Sequence, residues 1–215
     1  MSLSTNIRIK SRWFKEADGK SAEQQASAMA FIVWRVAQNM LRRMRGAKFD
    51  IDAGGPYFAF MREVLVFLVA LTDRIAHAWL EPQSRSDFTV AMVRHIARTL
   101  QENEHDLLGP VPPGAPPYGD TFIDLVNEVT GHYAEFGPDP TLPVDGAGFR
   151  PGFGFVRYLG NRLEPTLPEK DRHWVIDQVM AIEAPEAIEF VQRSMRELHD
   201  PTAPRRSRRS TMAGE

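Results

Sequence analysis

The chain has no cysteine among its 215 residues. Disulfides, zinc sites built on thiolates, iron–sulfur clusters and thiol nucleophiles are therefore excluded. A chain of this length buries about 70% of the surface that its unfolded form exposes, so it needs no covalent or metal cross-link in order to fold. The fold must rest on its apolar core.

Long apolar runs are also absent. The longest run spans residues 64–71, which is far below the roughly 18 residues that indicate a bilayer span. The first ten residues lack the apolar stretch of a secretory signal. We therefore expect a soluble, cytoplasmic protein with no membrane span.

Alternating strand patterns are nearly missing, and Ile7 and Ile9 are the only hint of one. Apolar residues instead recur at helical spacing. This pattern predicts an all-α fold of six or seven helices, with a central core like a four-helix bundle and long crossovers rich in proline and glycine. We divide the chain into an N-terminal arm (1–20), a single all-α domain (21–200) and a disordered basic tail (201–215).

Capping residues and prolines set the predicted helix boundaries. Ser21 and Gln24 have the spacing of a capping box at the start of the first helix, and Gly46 ends it. The second helix is predicted over about 56–80, and the third from Ser84 or Ser86 to about 108. The remaining helices are predicted over 120–136, 151–163, 168–182 and 184–198.

The second predicted helix is unusual because residues 64–71 are apolar on every side. A helix of that kind must be covered all round by neighbours. Glu63, Asp73 and His77 flank this segment on one stripe, so they should lie at the edge of the core, where a functional site could form.

Two acid–histidine pairs extend this hypothesis. Asp73 and His77 are four residues apart on the second helix, and Glu128 and His132 have the same spacing on the fourth. Carboxylate and imidazole groups ligate iron, manganese or zinc, and helical bundles hold such sites between facing helices. The candidate metal or small-ligand set between these helices is therefore Glu63, Asp73, His77, Glu128 and His132.

A simpler interpretation of the same pairs is an ordinary ion pair on a helix surface. Di-iron bundles use Glu-x-x-His spacing, which neither pair has. The sequence identifies no cofactor, although a metal ion fits these residue types, and it leaves open whether the protein is an enzyme.

Basic residues suggest a separate hypothesis, namely anion binding. Arg150 and Arg157 lie in and after a glycine-rich loop that precedes the fifth helix, and we name them as candidate anion contacts. In the tail, Arg205, Arg206, Arg208 and Arg209 give the only hint of nucleic-acid binding. We do not expect a nucleic-acid partner, because residues 51–200 carry 23 acidic and only twelve basic side chains.

Our leading functional interpretation from sequence is a soluble helical binding or interaction protein that self-associates as a homodimer. Phe31, Trp34 and Leu41 support it, because they lie on the first helix away from its main apolar stripe. Aromatic side chains of this kind anchor interfaces, although another helix of the same chain would cover them equally well. The alternative is the metal- or small-ligand-binding bundle, with an enzyme as one form of it.

Overall fold

The computed structural model describes residues 21–142 and 148–199. No strand occurs in these two ranges, and the prediction of an all-α fold is confirmed. The predicted arm and basic tail lie outside the described residues. The α-helices are α1 (Ala22–Gly46), α2 (Gly55–Ala76), α3 (Pro82–Leu108), α4 (Tyr118–Ala134), α5 (Phe153–Leu163), α6 (Glu169–Gln178) and α7 (Ala184–His199).

Helix α2 forms the centre of the molecule and contacts α1, α3, α4, α5 and α7. Every side chain from Val64 to Leu71 is buried, and the most accessible of them, Ala70, is 5% exposed. The expected enclosure of this segment is therefore observed. Its burial explains why the sequence there needs no polar face.

Helix α2 is the one helix within the described ranges that is long and apolar enough to span a bilayer. However, 67% of its most apolar window is buried inside the protein. A core helix packed on all sides has the same composition, so α2 gives no clear indication of a membrane span.

Helix α1 is also covered on more than one side. The capping box is present, since Gln24 N donates to Ser21 Oγ and Ser21 N donates to Gln24 Oε1. Trp34 and Leu41 are buried, whereas Phe31 is 53% exposed. Helices α2, α3 and α7 pack on α1, so the same chain covers Trp34 and Leu41 but leaves Phe31 exposed.

The break between α2 and α3 differs from the sequence prediction. Helix α2 ends at Ala76 rather than near residue 80, and α3 begins at Pro82 rather than at a serine. Glu81 is extended, with φ −62° and ψ 154°, because the residue before a proline disfavours the helical conformation. Proline then occupies the first turn of α3, where its missing N–H costs no hydrogen bond.

Helices α6 and α7 form one continuous rod, joined by the π-helical segment Val179–Glu183. Pro185 follows this segment and has no N–H to donate to the carbonyl four residues back. The wider π turn accommodates it, and Ala184 N donates to Val179 O across five residues. The predicted boundary at residue 184 is therefore a change of helical pitch within one rod.

Candidate functional site

The structure separates the five candidate ligands that the sequence indicated. Glu63 faces α5, where Arg162 Nε and Nη2 donate to its two carboxylate oxygens at 2.8 and 2.6 Å. This paired geometry raises the pKa of Arg162, and the more distant Glu128 carboxylate adds to the shift. Glu63 is thus held in a fork-to-fork ion pair.

Glu128 and His132 lie on the exposed side of α4. The His132 ring centroid is 6.1 Å from that of Tyr158 on α5, and its Nδ1 is 4.0 Å from a carboxylate oxygen of Glu135. Glu63 pairs with Arg162 of α5, and Glu128 acts on the same guanidinium from a greater distance. His132 packs beside Tyr158 of α5.

Asp73 and His77 lie elsewhere. Asp73 faces α3, where Thr89 Oγ1 donates to its Oδ1 at 2.8 Å and Arg85 Nε lies 3.4 Å from the same oxygen. His77 is exposed beyond the last residue of α2. In the part of the chain that the structure describes, no group of three or more His, Asp or Glu side chains is arranged to hold a metal ion.

The two candidate anion contacts lie near α5. The Arg157 guanidinium is exposed, and its carbon lies 5.9 Å from the centroid of the Phe153 ring. The backbone carbonyl of Arg150 accepts a hydrogen bond from Asp139 N at 2.9 Å. Neither arginine lines the cleft between α2, α3 and α4.

A cleft of about 470 Å³ lies between α2, α3 and α4. Its shape follows from a close crossing of α3 and α4 at Gly119, where a Cβ atom would lie 3.3 Å from the Ala97 carbonyl oxygen. Val93 of α3, Val126 of α4 and Ala70 of α2 are among the residues that line the cleft. The small side chain of Ala70 leaves the space between the helices unfilled.

Apolar side chains form most of the cleft wall, and polar groups lie among them. The lining residues are Val69, Ala70, Asp73, Arg74, Thr89, Val90, Val93, Arg94, Ile123, Val126, Asn127, Thr130, Tyr133 and Ala134. An apolar cavity with a few polar groups is typical of small-molecule sites, which have volumes of roughly 300–1,000 Å³.

The charges of the cleft are unequal. The carboxylate of Asp73 is already compensated by Arg85 and Thr89. Arg74 donates to the Ala134 carbonyl at 3.3 Å, and its guanidinium carbon lies 4.3 Å from the Phe149 ring centroid. Neither contact neutralises a full charge, so the cleft has an excess of positive charge.

Arg94 is the most available of these charged groups. It is exposed on α3 and has no hydrogen-bonding or ion-pair partner among residues 21–142 and 148–199. Asn127, on α4, lines the same cleft. An incoming ligand could therefore bind Arg94 without displacing an existing ion pair.

Tyr133 joins the cleft to the α4–α5 contact. Its ring packs against Phe155 at 4.7 Å and Tyr158 at 5.0 Å between centroids, and its buried hydroxyl has no hydrogen-bond partner among the residues that the structure describes. Burial raises its pKa well above 10, and the nearby Glu63 carboxylate adds to this rise. The hydroxyl is therefore protonated at neutral pH, and it is an unsatisfied polar group in the core.

Two further carboxylates are buried away from the cleft. Glu104 is 1% exposed, and Arg62 Nη2 lies 2.8 and 2.9 Å from its two oxygens. Glu183, in the π-helical segment, accepts hydrogen bonds from Arg43 Nε at 2.8 Å and Gln178 Nε2 at 3.0 Å. Both are paired, so we assign them to structure.

Of the sequence-predicted set, only Asp73 lines the cleft. Sequence reasoning missed Arg74, Arg94 and Tyr133. The sequence held one sign that Arg94 lacks an ion-pair partner on its own helix. The residues four positions before and after it are Val90 and Arg98, and neither is a carboxylate. An unpaired arginine beside an apolar residue gives only a weak indication of a site.

Comparisons with protein-family models, with curated proteins and with solved structures found no match.

Proposed function

We propose that this protein is a binding protein that takes a small, mainly apolar molecule into the cleft between α2, α3 and α4. The observation that carries the proposal is the unfilled volume of about 470 Å³ between the buried core helix α2 and helices α3 and α4. The cleft opens to solvent and its lining is mainly apolar, so a mainly apolar molecule that displaces the water there buries apolar surface and gains affinity.

The dimensions of the cleft limit the occupant. On α4 the lining runs from Ile123 to Ala134, which corresponds to about 16 Å of helix. An eight-carbon chain fits within this length. Octan-1-ol is therefore a suitable uncharged probe, because it tests the apolar wall without using any ionic contact.

The experiment is a titration of the ¹⁵N-labelled full chain with octan-1-ol, followed by amide chemical shifts. We expect saturable shifts at residues of α2, α3 and α4 that line the cleft. Val90 is 45% exposed on its rim, so Val90→Trp should fill the opening and abolish the saturable shifts.

The matched control for this variant is Leu107→Trp. Leu107 lies on the same helix and is 56% exposed, but it does not line the cleft. It should bind the probe as the unmodified protein does. Absence of saturable shifts, or unchanged binding in Val90→Trp, would contradict the proposal.

Of the three side chains that suggested a homodimer, Trp34 and Leu41 are covered within the chain, and Phe31 alone remains exposed. Metal binding finds no ligand cluster in residues 21–142 or 148–199. Neither of these two interpretations is favoured by a specific observation, so the small-ligand proposal stands alone.

A further inference from the structure

We infer that the natural ligand of this cleft is an amphipathic anion, such as a medium-chain carboxylate, with Arg94 as its main ionic contact. This inference rests on the proposed function, since it names the chemical class of the molecule that occupies the same cleft. The apolar wall alone does not determine the charge of the ligand, and this inference adds that the cleft prefers an anion.

The side chains that line the cleft carry more positive than negative charge. Asp73 is the only carboxylate among the residues that line it, and Arg85 lies at ion-pair distance from that carboxylate. Arg74 and Arg94 have no carboxylate at ion-pair distance in the described part of the chain. A ligand therefore meets two guanidinium groups whose charges no acid offsets.

Arg74 and Arg94 differ in how far their contacts restrain them. Arg74 is restrained by the Ala134 carbonyl and by the Phe149 ring, so its orientation is already fixed. Arg94 is unrestrained and exposed. A guanidinium presents a planar fork of donors that matches a carboxylate, and Arg94 can offer this fork to a head group at the mouth of the cleft.

A ligand with a cationic head group would bind this cleft less well than an anion. A cationic head group would have to approach Arg74 and Arg94, and its only carboxylate partner would be Asp73. That carboxylate already accepts a hydrogen bond from Thr89 at 2.8 Å. A cation would thus lose hydration and gain only a partner that is already compensated.

The test compares three probes of equal chain length on the full protein: octanoate, octan-1-ol and octylammonium. From amide shift titrations at low ionic strength, we expect octanoate to bind at least about tenfold more tightly than octylammonium. Added salt should weaken the binding of octanoate and leave that of octan-1-ol unchanged.

Arg94→Gln identifies the contact. We expect this variant to lose about tenfold in octanoate affinity and to keep its affinity for octan-1-ol. Arg98→Gln is the matched control, since Arg98 is exposed one turn farther along α3 and does not line the cleft. It should bind both probes normally.

The outcomes separate the two proposals. If octan-1-ol binds in the cleft but octanoate and octylammonium bind equally, the charge preference is wrong and the binding function stands. The same conclusion follows if Arg94→Gln binds octanoate as tightly as Arg98→Gln does. If no probe binds in the cleft, both proposals are overturned.

Discussion

Removing Arg62 should destabilise the protein in a manner that depends on pH. Arg62 on α2 is the ion-pair partner of Glu104 on α3, whose side chain is 1% exposed. Arg62→Met preserves much of the aliphatic volume and deletes the charge. The carboxylate of Glu104 must then remain buried and unpaired, or take up a proton.

The magnitude follows from the burial of the pair. Breaking a buried ion pair by removing one partner costs about 3–5 kcal/mol. Because the Arg62 side chain is 22% exposed, water reaches this site in part, and we expect about 3 kcal/mol at pH 7.5, at the lower end of that range.

The sign of the pH dependence is set by Glu104. Burial already raises its pKa above the ordinary value of 4.5, and Arg62 opposes this rise. Without Arg62 the pKa should rise further, so the folded state holds the proton more tightly than the unfolded chain does. Stability is then lost as the pH increases from about 4.5 through the folded pKa, and the variant should be closer to the unmodified protein at pH 5 than at pH 7.5.

Urea denaturation followed by circular dichroism at both pH values measures these differences. The double variant Arg62→Met/Glu104→Met is the control, because replacing both members of a buried pair by apolar groups is often nearly neutral. It should recover most of the lost stability. Equal losses of Arg62→Met at pH 5 and pH 7.5, or a double variant no more stable than the single one, would refute the reasoning.

The helix packing at Gly119 and the half-buried side chain of His199 can each be tested by substitution. Gly119→Ala should lower the free energy of unfolding by about 1 kcal/mol, because the added Cβ would press on the Ala97 carbonyl. Gly131→Ala should instead stabilise α4 by about 0.5–1 kcal/mol, because the space around the added atom is open. Similar effects of the two substitutions in urea denaturation would contradict the close crossing. Burial lowers the pKa of His199 below 6.5, so the unfolded chain takes up the proton first, and stability should fall as the pH decreases below about 6.5. His199→Gln should flatten the dependence of the unfolding free energy on pH between pH 7.5 and 5.5, whereas the exposed control His105→Gln should leave it unchanged. An unchanged pH dependence in His199→Gln would contradict the burial of the His199 ring.

The helical architecture could be predicted from sequence because it depends on local signals. The capping box at Ser21, the apolar spacing of each helix and the all-round apolar segment 64–71 involve residues within a few turns of one another. The structure confirms the all-α fold and the burial of that segment. The helix ends around Pro82 differ from the prediction because a proline can begin a helix. The break predicted at residue 184 is a change of helical pitch, because the π turn accommodates Pro185 within one rod.

The site could not be predicted in the same way. The sequence offered Asp73 a partner four residues away, but the carboxylate instead contacts Thr89 and Arg85 on the next helix. Glu63 pairs with Arg162, which is 99 residues away along the chain. Such pairings depend on how helices pack, and no local spacing reveals them.

The cleft was equally inaccessible to sequence reasoning. It results from the close crossing of α3 and α4 at Gly119 and from the small side chain of Ala70. An unfilled volume has no periodicity in the sequence, and residues from three helices must be in place before it exists.

A crystal structure of the full chain grown with saturating octanoate tests the central claim most directly. We predict electron density for the alkyl chain between Val93 and Val126, with the carboxylate within hydrogen-bonding distance of Arg94. A cleft closed by its own side chains, or octanoate bound only at other surfaces of the protein, would contradict the account.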